Sequence, residues 1–281
     1  MDMLTDLPWD VGEQAFSHYL IARDAGVPII ALPIFQLRFL PHFGLVVNRR
    51  AGIETPQDLV GKKVGAPDWG FNPAVWLRGI LAHQYNVPLE KVTWCESEAT
   101  PLFPNVSYPR SSRYEFIKVK PPEDVRLSQK ESYGMPILLD QHKLDALSMA
   151  GFGASTENAK RLFSDPMEEA RQYVADTGLI PINTLFVIKE ESAERFPDLA
   201  PAIIQAIAAA SKSYAAEIAS GATENDTYVP VKFARELDLY PFKQGLSPNM
   251  RAVQMMITYC YEQGLIKKLY QPEELFLKSC L

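Results

Sequence analysis

Several chemistries are missing from this 281-residue chain. Cysteine is scarce: Cys95, Cys260 and Cys280 lie far apart and form no CxxC pair. An odd, sparse set excludes a disulfide framework and fits a reducing compartment. The four histidines show neither HExxH nor HxH spacing, so no protein-built metal site is expected. There is no GxGxxG fingerprint and no phosphate loop. No basic run exists, and 28 Lys+Arg against 34 Asp+Glu give a formal charge of −6, which argues against a nucleic-acid partner. No apolar run approaches the roughly 20 residues of a membrane span. The opening "MDMLTDLPWDVGEQ" carries acids where a secretory signal needs a basic region and an apolar core. A cytoplasmic chain with no membrane partner is expected.

What is present is an ordinary globular balance, 47% hydrophobic and 22% charged, long enough for two modest domains. Short β-branched runs at 27–35, 43–48, 62–67, 91–95, 114–120 and 182–191 read as strands, and "DALSM" (145–149) as another. Helices are expected at roughly 73–85, 135–144, 155–163, 166–178, 198–220, 247–265 and 271–281. Thr55 and Pro56 begin a one-turn helix in "TPQDLVG" (55–61). The proline-rich 96–113 reads as a long loop. Alanine-rich 198–220 has the spacing of a packed helix. Strands alternating with helices, then terminal helices, give an α/β class.

One stretch, "VGAPDWGFNPAVWLRG" (64–79), carries more than turn residues. Asn72-Pro73 reads as an N-cap and first helical residue. Such a helix start is an anion site by default, through its free N–H groups and dipole. Asp68, Trp69 and Phe71 fall at the carboxyl end of a strand, where α/β sheets bind ligands, and Arg78 lies further along the helix. The same residues also suit a capped helix whose aromatics cover the core edge.

"RAGIETPQDLVGKKVGAPDWGFNPAVWLRGILAHQYNV" (50–87) resembles the 4,5-dihydroxyphthalate decarboxylases, with their corner of proline, acid and aromatic followed by an Ala-x-Val-Trp-x-Arg-Gly helix. The likeness extends to "DVGEQAFSHYLIAR" (10–23) and "IALPIFQLRFLPHFGLVVNRR" (30–50), and more weakly to 143–151 and 176–189. The resemblance implies a two-lobe fold like that of type II periplasmic binding proteins, with C-terminal helices and the ligand in the cleft. It implies loss of carbon dioxide from a hydroxylated aromatic acid without an organic cofactor; a metal carried by the substrate stays open. Lobe I is expected over 1–63 plus 187–281 and lobe II over 64–186, with crossings near 61–67 and 181–189. Two departures stand out. Family members begin with a further strand and helix ahead of the first match here, and Thr184 in "IPINT" stands where the family has a histidine.

Decarboxylating such a ring needs a proton donor near the carbon that bears the carboxylate, an acceptor at the phenol, and cations for the carboxylates. His42 is the expected donor because imidazole titrates near neutrality, with Asp68 as second choice. Arg38 and Arg78 are the expected carboxylate anchors. Trp69, Asn72, Glu13 and Thr184 complete the expected substrate-binding set. The expected partner is a small aromatic carboxylate, and a homo-oligomer stays open. The rival reading is a binding protein that captures a small anion and does no chemistry.

Overall fold

The computed structural model describes residues 7–98, 109–120, 134–149, 157–221, 225–226, 229–239 and 242–281. In chain order the first elements are β1 (Val11–Ala15), α1 (Phe16–Asp24), β2 (Ile29–Leu32), β3 (Leu45–Asn48), β4 (Lys63–Ala66) and α2 (Asn72–His83). Next come β5 (Thr93–Ser97), β6 (Glu115–Val119), α3 (Met135–Asp140), β7 (Ala146–Ser148), β8 (Ala159–Arg161) and α4 (Pro166–Thr177). The last part holds β9 (Thr184–Lys189), α5 (Glu190–Arg195), α6 (Leu199–Ala219), β10 (Asn225–Asp226), β11 (Val229–Pro230), α7 (Val231–Glu236) and α8 (Met250–Glu262). Most of the expected loop at 96–113 lies outside the described residues.

Two sheets organise these elements. The smaller has the order β1-β9-β2, with β9 antiparallel to both neighbours. The larger has the order β6-β5-β4-β7-β3-β8, parallel from β6 to β7 and antiparallel around β3. β3 therefore belongs with β4, although the expected boundary at 63/64 separated them. Its alternation explains this: Val47 faces the large core and Val46 a second apolar cluster, so both faces need cover, and a central strand supplies it. The chain thus first passes between sheets over residues 33–44, rather than near 61–67, and returns over 162–183. The two passages touch through an Arg38–Ile182 bridge and the Asn183 N–H, which donates to the Leu37 carbonyl at 2.7 Å.

Three local expectations are corrected. Residues 159–161 form strand β8, because the open edge of β3 supplies ladder partners that outweigh helix propensity. Residues 271–281 form only short 3₁₀ turns at Pro272–Glu274 and Lys278–Cys280. The long α6 is mostly exposed: only Ala200 and Ile218 are buried, while Ile203, Ile204 and Ile207 are partly buried against the small sheet's cluster. Alanine offers too little apolar area to hold the remaining faces down. By contrast the 3₁₀ turn Pro56–Leu59 carries a capping box between Thr55 and Asp58, as its sequence implies.

Candidate functional site

The starts of α1 and α2 lie against each other at the junction of the two sheets. α1 has no side-chain cap of its own, and Asn72 supplies one from the other sheet. The Asn72 Oδ1 accepts the Ser17 N–H at 2.9 Å, and the Ser17 hydroxyl donates to the Gly70 carbonyl at 2.7 Å. The Asn72 Nδ2 donates to Asn183 Oδ1 at 2.9 Å and the Trp76 indole N–H to the Ile182 carbonyl at 2.8 Å. Asn72 is therefore not the N-cap of its own helix. Phe71 holds that position, and Asn72 staples three segments together.

Asp68 stands at the end of β4, buried, and its Oδ1 accepts the Gly70 N–H at 2.7 Å. That bond closes the turn ahead of α2, whose first turn itself carries no acid. On the other side of the junction Glu13 is exposed on β1, and its carboxylate accepts the Thr184 hydroxyl from the neighbouring β9. Thr184 and its chain neighbour Asn183 are part-exposed. The seam here presents an acid and two small polar side chains.

The other expected site residues point elsewhere. Trp69 and Arg78 are about 1% exposed and packed together. The Arg78 guanidinium carbon lies 3.7 Å from the Trp69 ring centroid and 5.5 Å from that of Trp94. Its Nε donates to Gln263 Oε1 at 2.7 Å and its Nη2 to the Trp69 carbonyl. The Trp69 indole donates to the Gln263 carbonyl at 3.0 Å, and Gln263 donates to the Val75 carbonyl at 2.9 Å. The Trp69 backbone N–H donates to Glu96 at 2.7 Å. Burial pushes the Glu96 carboxyl up, yet Arg110 at 2.6 Å and Lys118 at 2.9 Å outweigh it and hold the group below the usual carboxylate range. Gly79, next to Arg78, lets α8 come close: a Cβ there would lie 2.1 Å from the Tyr259 ring. Arg78 is built as part of a core, not as a free anchor.

His42 is fully buried in the 3₁₀ turn Pro41–Gly44. Phe163, Tyr173 and Tyr85 surround it at ring-centroid distances of 5.5, 5.7 and 6.3 Å. Burial lowers its pKa to about 4, against a weak opposing contact with Gln84 at 3.5 Å. Burial thus favours the neutral imidazole, whereas a donor role for His42 needs the protonated ring. Arg38 is also buried; it donates to the Ile180 carbonyl at 3.1 Å and to Asn249 Oδ1 at 2.6 Å, and its guanidinium stands 5.0 Å from the Phe242 ring. Among the described residues no cluster of three histidine, cysteine or acidic side chains fits a metal ion. Nor does any helix there have the length and apolarity to cross a membrane. Asn183, Glu96 and Gln263 are the contributors missed by sequence reasoning. Asn183 lay inside the noted "IPINT", whereas Glu96 and Gln263 carry no local signal.

Comparison with known proteins bears on the family and the fold. Residues 8–107 match the family model described as NMT1/THI5 like. A curated relative from Comamonas testosteroni, described as 4,5-dihydroxyphthalate decarboxylase, is 28% identical over 285 residues, covering 97% of this chain and 83% of the relative. Among solved structures, the periplasmic aliphatic sulphonate binding protein SsuA from Escherichia coli superposes with a TM-score of 0.52 at 14% identity, over 98% of this chain and 77% of SsuA. A DSZB mutant in complex with biphenyl-2-sulfinic acid gives a TM-score of 0.57 at 10% identity, over 98% of this chain and 85% of DSZB. The fold is that of the periplasmic binding proteins.

Proposed function

We propose that this chain, a relative of the 4,5-dihydroxyphthalate decarboxylases, is a carboxy-lyase that removes carbon dioxide from a hydroxylated aromatic acid held in the seam between its two sheets. The observation that carries the reading is likeness to a named decarboxylase across 97% of the chain, through both sheets and the α1–α2 junction. The binding-protein fold supports a small-molecule substrate, and an aromatic carboxylate is the class we propose. Asp68 at the end of β4 and Glu13 on β1 are the carboxyl groups we place at the reaction. One protonates the ring carbon that bears the leaving carboxylate. The C–C bond then breaks, its electron pair restores aromaticity, and the other group accepts a hydrogen bond from a ring hydroxyl. Asn183 and Thr184 orient that hydroxyl. No organic cofactor is needed for this sequence, and the cytoplasm is the compartment we propose.

A second reading is favoured by one observation. Arg38, His42 and Arg78 are committed to packing, so a protein of this architecture can also bind an anion and do nothing to it. Carbon dioxide release from a panel of hydroxylated benzoic and phthalic acids separates the two. Release from at least one member, lost in Asp68→Asn or Glu13→Gln, supports the decarboxylase. Calorimetric binding with no release across the panel supports the binder.

A further inference from the structure

A cavity of about 270 Å³ opens where the crossing passages meet the start of α8. It is lined by Arg38, Lys243, Arg251, Phe242, Leu239 and Pro248, among others. Arg38 and Ile180 stand for the two passages, and Asn249 and Arg251 for the helix start. One wall is preformed. Gln244 exchanges two hydrogen bonds with the Phe35 backbone, at 2.7 and 3.2 Å, and Gly245 N–H donates to the Pro33 carbonyl at 2.9 Å. Asn249 accepts from Arg38 and donates to the carbonyls of Lys243 and Gly245, both at 2.8 Å.

The charges here do not balance locally. Three cations face one carboxylate, Asp238. Lys243 and Arg251 are exposed, and neither forms an ion pair with another described residue. Arg251 also sits on the first turn of α8, where the helix dipole disfavours a cation and that turn holds no acid; Asp176 lines the neighbouring cavity on its other side. An anion seated here would relieve both tensions. Leu239, Phe242 and Pro248 supply an apolar part of the wall beside Asp238 and Asn249, so a ring could rest there. A pocket at the small end of the ligand-binding range suits one ring and its acid groups.

We propose that this cavity is a second ligand site, separate from the seam, that takes a small aromatic carboxylate, its acid groups on Lys243 and Arg251 and its ring against Phe242, with Arg38 bracing the wall through Asn249. The proposal does not depend on the decarboxylase reading, because binding alone tests it. Phthalate, which pairs a ring with two carboxylates, is the probe, titrated calorimetrically into the full chain at low salt. The double variant Lys243→Gln/Arg251→Gln should weaken one phthalate-binding event at least tenfold, with an unchanged melting temperature because both side chains are exposed. The same event should persist in Glu13→Gln. Inorganic phosphate should bind there at least tenfold more weakly than phthalate. Titrations of wild type and the double variant that superimpose would overturn the proposal. So would loss of the event in Glu13→Gln, which would place phthalate in the seam, or phosphate binding as tightly as phthalate, which would remove the role of the ring.

Discussion

The block around Trp69, Trp76, Trp94 and Arg78 and the seam around Glu13, Asn183 and Thr184 are built on opposite principles. In the first, every large side chain is buried, and the one cation lies on an indole face with its donors directed at Gln263 and the Trp69 carbonyl. In the second, polar groups are part-exposed and hydrogen-bonded mainly to one another. A buried guanidinium is tolerated only where its donors are matched, so its position is fixed by the fold. A carboxylate at a seam can exchange its partner for a ligand at little cost. Residue type alone does not separate the two situations; the direction of the side chain does.

The widest test of that contrast is Arg78→Ala. It leaves Gln263 Oε1 and the Trp69 carbonyl without a donor and opens a void between two indoles. Loss of stability should be about 3–5 kcal/mol. Arg78→Lys should recover only part of this, since an ammonium neither stacks flat nor reaches both acceptors. Chemical denaturation measures both variants. A melting curve for Arg78→Ala that matches the parent would return Arg78 to the ligand.

Acid should expose the second buried group. The folded-state pKa of His42 is pushed down to about 4 by burial, while the unfolded value is the ordinary 6.5. Well above pH 6.5 the imidazole is neutral in both states and adds no pH dependence. As pH falls from 6.5 toward 4 the unfolded chain takes up the proton and the folded one does not, so stability is lost, by about 3 kcal/mol over that interval. His42→Phe keeps an aromatic ring among Phe163, Tyr173 and Tyr85 and has no proton to gain. Its unfolding free energy should fall less between pH 7 and pH 4.5 than that of the parent. Parallel slopes would mean that His42 is charged in the fold.

These two residues also mark how far the sequence could be read. The largely apolar runs that became β2 and β3 were legible because full burial needs a near-continuous apolar stretch. β1 was not legible, because "VGEQA" becomes a strand only by pairing with β9, more than 160 residues later. The same holds for the site. Glu13, Asp68, Asn72 and Thr184 were picked out as residues, and all four stand at or beside the junction. Arg38, His42, Trp69 and Arg78 were picked out by the same reasoning. Their orientation depends on Asn249, Tyr173 and Gln263, which no local pattern connects to them.

Asn72 lies between the two extremes: it is buried, yet it binds across the seam. Asn72→Ala removes the acceptor for the Ser17 N–H and the donor to Asn183, and should cost about 1–2 kcal/mol. Asn72→Asp keeps the first bond and loses the second, so it should retain protection of the Ser17 amide against hydrogen exchange while Asn72→Ala does not. Equal exchange at Ser17 in the two variants would remove the cross-sheet cap.

The smallest effect on stability, and the most informative one, belongs to Glu13→Gln. Glu13 is exposed, and an amide keeps the size of the side chain and an acceptor oxygen for the Thr184 hydroxyl. Its removal should therefore leave the melting temperature within a degree or two, as surface substitutions away from packing usually do. What changes is chemistry. A carboxylate accepts through both oxygens and can carry a proton, whereas an amide donates through one side and does not titrate. If the seam binds a phenolic acid, the hydroxyl that meets Glu13 loses its charged acceptor, a contact typically worth about 1.5–3 kcal/mol. Turnover of a responsive acid should then fall by roughly one to two orders of magnitude while the fold stands. Thr184→Val removes the Thr184–Glu13 hydrogen bond, which Glu13→Gln keeps, but leaves the carboxylate in place, so it should perturb turnover less than Glu13→Gln. If Thr184→Val proved the more damaging of the two, the pair would be a structural link between β1 and β9, and the reacting acid would have to be sought around Asp68 alone.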